Sequence, residues 1–110
     1  MYYKSNKKLT LAKRYYLNYW VYILANKPRG TLYIGVTGIL GDRMERHMRN
    51  GKGKYTAKYN VKQLVYFEEF QYVLDAIERE KQLKNLHRAW KINLIEARNP
   101  NWDNLWKPLG

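Results

Sequence analysis

Two short runs of aromatic and β-branched residues, separated by a turn-forming segment, constrain the fold of this chain most. The first run is Trp-Val-Tyr-Ile-Leu-Ala over 20–25, and the second covers 31–36. Such residues favour strands, and the intervening Asn-Lys-Pro-Arg-Gly is typical of a turn. The sequence therefore predicts a β-hairpin. A register centred between Lys27 and Pro28 would set Tyr22 directly opposite Tyr33 on one face.

The rest of the chain predicts three helices and one more strand. The first helix is predicted over 40–48, where helical spacing relates Leu40, Met44, His47 and Met48. A loop over 53–60 precedes a third strand over 63–70. Two helices follow, over 73–85 and over 88–97, the second with Trp90, Leu94 and Ala97 facing inward. The helical pattern ends at Pro100, and two later tryptophans, Trp102 and Trp106, are expected to pack on the core.

This order of elements predicts an α+β fold, a three-stranded antiparallel sheet flanked by about three helices. A chain of 110 residues with 45% hydrophobic content can bury one core. We therefore expect one domain over 19–106, preceded by a basic N-terminal arm over 1–18 and followed by a short tail over 107–110.

The charge balance points to a polyanionic partner. Lys and Arg number 21 against 9 Asp and Glu, which gives a formal net charge of +12, and no acidic residue precedes Asp42. Nucleic acid is the expected partner. An anionic membrane surface is the alternative, but the basic residues are scattered along the chain and do not line one amphipathic helix.

Cysteine is absent, which excludes disulfides, thiolate nucleophiles and cysteine-based zinc sites and favours a reducing cytoplasmic location. The chain also has no apolar run near the roughly 20 residues that span a bilayer. We expect a cytoplasmic protein with no membrane association.

One carboxylate stands where an aliphatic residue is expected. On the helix over 73–85 the apolar face contains Val73, Ala76, Ile77, Leu83 and Leu86. Glu80 falls inside this face, three residues from both Ile77 and Leu83. A buried, unpaired carboxylate is costly, so Glu80 should bind a cation or pair with a basic residue, for example Arg43. Glu80 is thus either a metal ligand or a partner in an ordinary salt bridge, unless the helix face is in fact exposed.

These residues together resemble the GIY-YIG nuclease superfamily, in particular its small single-domain bacterial members, over 19–106. The first tripeptide of the family is present in degenerate form as Trp-Val-Tyr, ending at Tyr22, and the second is intact as Tyr-Ile-Gly, beginning at Tyr33. Arg43 follows ten residues later, His47 one helical turn after it, and Glu80 matches the metal-binding glutamate of the family. The chain departs from the family pattern at Val36, where many relatives have lysine. Some relatives also have an asparagine about a dozen residues after the glutamate, and Asn93 lies near this position without matching it securely.

The resemblance implies a metal-dependent endonuclease that hydrolyses phosphodiester bonds. Tyr22 would be the general base, with Tyr33 donating hydrogen bonds to phosphate or water. Arg43 would stabilise the phosphate charge, His47 would relay the proton, and Glu80 would hold one Mg²⁺ or Mn²⁺. No small-molecule cofactor is expected.

Binding to nucleic acid, with DNA the expected substrate, would use basic and aromatic side chains. The candidates are Lys52, Lys54, Tyr55, Lys58, Tyr59, Lys62, Lys84 and Arg88. With no recognition helix in the sequence, cutting should follow DNA structure and not base sequence. Two alternatives stay open, a non-catalytic nucleic-acid-binding module on the same scaffold and a ribosomal or RNA-associated basic protein. The sequence leaves the oligomeric state open.

Overall fold

A computed structural model of the chain describes residues 18–38 and 60–106. These residues form three strands followed by two helices. The strands are β1 (Tyr19–Ala25), β2 (Leu32–Thr37) and β3 (Gln63–Phe70), and the helices are α1 (Val73–Asn85) and α2 (Arg88–Arg98). The predicted helix at 40–48, the loop over 53–59 and the basic arm lie outside the described residues.

The three strands form one antiparallel sheet in the order β2-β1-β3. β1 is therefore the central strand, and its residues from Trp20 to Ala25 are all buried. The pairing of β1 with β3 is irregular between Ile23 and Leu24. The predicted α+β fold with a three-stranded antiparallel sheet is confirmed.

The predicted hairpin register is wrong by two residues. Tyr22 pairs with Gly35, and Leu24 pairs with Tyr33. The turn is centred between Pro28 and Arg29 and is closed by a hydrogen bond from Gly30 N to Lys27 O of 2.9 Å. Proline favours the second position of a four-residue turn, which accounts for this centre.

The turn is fixed further by side-chain and backbone geometry. Asn26 Oδ1 accepts a hydrogen bond of 2.8 Å from Thr31 N, and Arg29 adopts a left-handed φ of 57°. At Gly30 an added Cβ would lie 2.7 Å from Lys27 Cγ, so a larger residue there would have to displace this side chain. These constraints set the pairing of β1 with β2.

The sheet has two differently covered faces. On the first face, Val21, Ile23 and Ala25 form a core with residues of the two helices, namely Ala76, Leu83 and Ile95. On the second face, Trp20, Tyr22 and Leu24 form a separate core with Val61 and Leu64. We call the first the helix face and the second the tyrosine face.

The helix bounds agree closely with the prediction, but the inward side of α2 agrees only at Leu94. Trp90 is 61% exposed and Ala97 is exposed as well, so the expectation that they face inward is wrong. Ile95 is the buried residue of α2, with Ile92 and Leu94 packed at the edge of the same core. The buried side of α2 is therefore rotated relative to the predicted one. It is formed around Ile92 and Ile95, and Trp90 lies outside it.

The C-terminal segment packs on both faces, as predicted for its tryptophans. Trp102 is buried in the core of the helix face, whereas Trp106 packs against that of the tyrosine face. Between them the chain passes the edge of β3, where Leu105 N donates a 2.7 Å hydrogen bond to Leu64 O. Asn104 Oδ1 accepts a 3.1 Å hydrogen bond from Leu64 N. This part of the outer edge of β3 is therefore closed by the chain itself.

Neither α1 nor α2 is long and apolar enough to cross a membrane, and no other helix among the described residues is.

Candidate active site

Tyr22 and Tyr33 lie side by side on the tyrosine face. Because Tyr33 is opposite Leu24, the two phenols are diagonal neighbours and not a direct cross-strand pair. Their ring centroids are 6.3 Å apart with a 43° angle between the ring planes. The structure thus brings the two predicted tyrosines together through a different register. Tyr22 has no exposed surface, whereas Tyr33 is partly exposed.

The ring of Tyr22 packs directly on the backbone of Gly35. A Cβ at this position would lie 2.5 Å from Tyr22 Cζ and 3.0 Å from Tyr22 Cε2, and it would also overlap the hydroxyl oxygen. The ring therefore crosses the backbone of β2 at Gly35, and its hydroxyl is directed from the central strand towards the outer one. The glycine of the second tripeptide is required by packing, because no side chain fits beneath the ring.

Glu80 lies on the buried side of α1, as the sequence predicted. Its side chain is 17% exposed, and its Oε2 forms an ion pair of 3.0 Å with Lys84 Nζ, one helical turn away. The salt-bridge alternative is therefore realised within the helix, with Lys84 as the partner. The described residues hold no group of three or more His, Cys, Asp or Glu side chains that could enclose a metal ion.

Glu80 and the two tyrosines belong to opposite sides of the sheet. α1 packs on the helix face over β1 and β2, while the phenol rings belong to the tyrosine face. The hydroxyl of Tyr22 points towards β2, which is the edge strand on the side that α1 also covers. A pocket common to Glu80 and the tyrosines would have to form around the edge of β2.

A buried polar cluster on the helix face was missed at the sequence level. Arg79 Nε and Nη2 each donate a 2.9 Å hydrogen bond to the carboxylate of Glu68, and the hydroxyl of Tyr66 donates to the same carboxylate. The guanidinium of Arg98 lies 5.2 Å from the Tyr66 ring centroid. The cluster ties α1 and α2 to β3. Its only sequence signal is the two-residue spacing of Tyr66 and Glu68 on β3.

The two acidic groups of this cluster have shifted pKa values. Burial, reinforced by the neighbouring Glu68 carboxylate, raises the pKa of Tyr66 to about 12. Burial alone would raise the pKa of Glu68, but the hydrogen bonds from Arg79 and Tyr66 outweigh it, so this pKa lies below its ordinary value. The carboxylate is therefore held in its charged form. We assign this cluster to stability because every group in it has a protein partner.

Three of the predicted nucleic-acid contacts lie within the described residues. Lys62 is partly buried, and Lys84 and Arg88 are exposed. Arg88 Nη2 donates to the carbonyl oxygens of Arg29 and Gly30, the second at 2.6 Å, so Arg88 also holds the hairpin turn against α2. The other predicted site residues lie outside the described residues, namely Arg43, His47, Lys52, Lys54, Tyr55, Lys58 and Tyr59.

The asparagine considered at the sequence level is not the buried one. Asn93 is exposed on α2. Asn99 is 5% exposed, and its amide nitrogen donates to Val65 O at 3.1 Å and Asp103 O at 2.9 Å. Asn99 Oδ1 also accepts a 3.0 Å hydrogen bond from Asp103 N. Asn99 joins α2, β3 and the C-terminal segment, and these contacts give it a structural role.

Comparison with known proteins gives consistent matches. A sequence model described as the GIY-YIG catalytic domain matches residues 18–93. A UPF0213 protein of Pediococcus pentosaceus is 39% identical over 75 residues, which cover 68% of this chain and 79% of the relative. A UPF0213 protein of Clostridium perfringens is 37% identical over 93 residues, covering 84% of this chain and 98% of the relative.

A solved structure agrees as well. The solution NMR structure of the UPF0213 protein BH0048 from Bacillus halodurans has a TM-score of 0.51 and 29% sequence identity, covering 79% of this chain and 92% of that chain. The segment matched by the family model begins just before β1 and ends within α2, so it includes the tyrosine pair, Gly35 and Glu80. Because this family model covers more than half of the chain, the chain is a small member of the GIY-YIG nuclease family.

Proposed function

We propose that the protein is an endonuclease that hydrolyses phosphodiester bonds in DNA with one Mg²⁺ or Mn²⁺ ion. The observation that carries this proposal is the adjacent pair of phenols, Tyr22 and Tyr33, beside the required glycine of the second tripeptide. In the reaction a water molecule attacks phosphorus while the bond to the leaving oxygen breaks, and a protein group accepts the water's proton.

The burial of the two tyrosines supports an exchange of the roles expected from the sequence. Tyr22 has no exposed surface, so a water molecule cannot approach its hydroxyl without a rearrangement. Tyr33 is partly exposed on the outer strand and is the better candidate for the proton acceptor. Tyr22 then acts as a positioning residue, because its ring packs against both Tyr33 and Gly35.

Glu80 is the proposed metal ligand. A single carboxylate suits Mg²⁺, which keeps several waters and takes further oxygens from substrate phosphate. When bound, the ion would supply positive charge to the phosphate oxygens. The ion pair with Lys84 must open or shift for Glu80 to bind a cation, and Lys84 would then be available to a phosphate oxygen. Arg43 and His47 keep their proposed roles as charge stabiliser and proton relay.

The proposed substrate preference follows from charge. A net charge of +12 supports binding to the sugar-phosphate backbone, which carries no base information. Cutting directed by branches, flaps or single-stranded regions is therefore proposed over cutting at a defined sequence.

The Glu80–Lys84 ion pair also favours a second candidate function. If this pair stays closed when DNA binds, the protein is a basic nucleic-acid-binding module without catalysis. The two functions differ in their dependence on divalent metal. Electrostatic binding alone needs no Mn²⁺, whereas hydrolysis through Glu80 does.

The test is a cleavage assay on plain, flapped and branched DNA with Mn²⁺. Wild type is compared with Glu80→Gln and Tyr33→Phe, and the matched controls are Glu78→Gln and Tyr72→Phe, which change exposed residues on or beside the same helix. The proposal expects cutting by wild type and both controls, and at least about a hundredfold loss in the other two variants, with binding retained. No cutting by wild type on any substrate would favour the binding module.

A further inference from the structure

A basic cavity lies between the hairpin and the start of α2. It has a volume of about 340 Å³ and is lined by Thr31, Leu32, Arg88 and Lys91. Among the described residues that line it, two carry positive charge and none carries negative charge. A basic cavity of this kind favours an anion.

The surroundings leave these two cations available. On α2 the one glutamate, Glu96, is bound by Arg29 through hydrogen bonds of 2.9 and 3.0 Å and by Trp102 Nε1 at 2.7 Å. Within the described ranges, neither Arg88 nor Lys91 forms an ion pair with a carboxylate. The guanidinium of Arg88 is held in place because it donates to the carbonyl oxygens of Arg29 and Gly30. Arg88 is thus held in place, and Lys91, which is partly buried, lines the same cavity.

The cavity is connected to the proposed active site by direct contacts. Lys91 Nζ lies 3.4 Å from Lys84 O, and Lys84 Nζ pairs with Glu80 at 3.0 Å. Along β2, Leu32 is three residues from Gly35, a distance of about 10 Å at the usual strand rise. Phosphates of one DNA strand follow each other at about 3.4 Å along the helix axis, so a phosphate about three nucleotides further along the bound strand lies at this distance.

We propose that this cavity binds a backbone phosphate of the DNA, a few nucleotides from the bond that is cut. The inference rests on the proposed nuclease function for its substrate and adds a second contact point to it. Arg88 and Lys91 would each donate hydrogen bonds to the phosphate oxygens. Two anchored phosphates would fix the direction of the strand across α1 and α2 without reading its bases.

The first test is an NMR titration with inorganic phosphate, followed through backbone amide signals. The expected result is a saturable shift at Thr31, Leu32 and residues 88–91 in wild type. Lys91→Gln should lose most of this shift, and Lys91→Arg should restore it. Lys81→Gln is the matched control, because it removes one exposed lysine on α1 that does not line the cavity. Lys91 is preferred to Arg88 for substitution, since Arg88 also holds the turn.

The second test measures DNA binding as a function of salt. Lys91→Gln should weaken binding about tenfold, the loss of one charge-assisted hydrogen bond. It should also lower the slope of log K against log salt by about 0.9, the value of one phosphate contact. Lys91→Arg should keep both properties of wild type.

Two results would overturn the inference. One is the absence of phosphate shifts at the cavity, even in a protein that cuts DNA. The other is an equal loss of DNA binding in Lys91→Gln and Lys81→Gln, which would show a general effect of charge. Saturable phosphate shifts confined to the cavity would support the inference even if no DNA were cut, so its failure is distinguishable from failure of the proposed nuclease function.

Discussion

The aromatic ring of Tyr22 lies across the backbone of Gly35 on the neighbouring strand, so closely that a methyl group there would meet the ring at 2.5 Å from Cζ. This contact explains why a tyrosine on β1 and a glycine on β2 occur together. It also directs the phenol towards the outer strand, beside Tyr33. The tyrosine pair of the proposed site therefore depends on the absence of a side chain at one position.

Replacing Gly35 by alanine should destabilise the protein. The added methyl forces the buried ring of Tyr22 to move, and overpacking of this kind costs about 1–3 kcal/mol in free energy of unfolding. Urea denaturation of Gly35→Ala measures this cost. The control is Gly38→Ala, whose Cβ would meet Tyr19 at 3.4 Å and should be tolerated. Equal stability of the two variants would contradict the packing described here.

The buried asparagine should matter far more than the exposed one. Asn99→Ala leaves Val65 O, Asp103 O and Asp103 N without their side-chain partner and should cost about 2–3 kcal/mol in free energy of unfolding. Asn93→Ala should stay within about 0.5 kcal/mol of wild type, as exposed substitutions usually do. Parallel thermal or urea unfolding of the two variants checks the difference. A larger loss of stability in Asn93→Ala than in Asn99→Ala would contradict the structural role of Asn99.

Stability should fall in acid because of Glu68. Its pKa lies below the ordinary value in the folded state, since Arg79 and Tyr66 donate to the charged carboxylate. The contribution is therefore present above pH 4.5, the ordinary value, and is lost as pH falls through the lower folded value. Glu68→Gln should cost about 2 kcal/mol at pH 7, with the loss shrinking towards pH 3. Urea denaturation at several pH values measures this; a loss independent of pH would contradict it.

Tyr66 should add a loss of stability at alkaline pH. Its pKa is raised to about 12 from 10.0, so the folded state holds the phenol proton more tightly than the unfolded chain does. The stabilisation is complete below pH 10.0 and is lost as pH rises towards 12. Tyr66→Phe should flatten this part of the stability curve. An unchanged alkaline limb in the variant would show that another group is responsible.

The sequence predicted the element types well, because these follow from local periodicity. The strand over 63–70 and the helix over 73–85 have the predicted bounds, and Glu80 lies on the buried side of its helix. The predicted register of the hairpin was wrong because the register depends on the turn, whose centre is fixed by Pro28 and the left-handed Arg29. The prediction for the inward side of α2 is confirmed at Leu94, which packs against the core, and is wrong at Trp90 and Ala97, which are exposed.

The candidate site could be predicted only in part. The motif residues Tyr22, Tyr33 and Glu80 were found because their spacing resembles a family, and the tyrosines indeed lie together. The packing of Tyr22 on Gly35 and the partner of Glu80 could not be found, since both depend on side-chain positions in three dimensions. The buried Glu68 cluster could not be predicted for the same reason, because its residues come from three different elements.

The most direct test asks whether Glu80 and the tyrosines share one metal-binding pocket around β2. Mn²⁺ broadens NMR signals of nearby amides, so a titration of the DNA-bound wild-type protein maps the ion. The account predicts broadening both near Glu80 on α1 and near Tyr33 and Gly35 on β2, absent in Glu80→Gln and retained in Glu78→Gln. Broadening confined to α1, or unchanged in Glu80→Gln, would contradict a common active site.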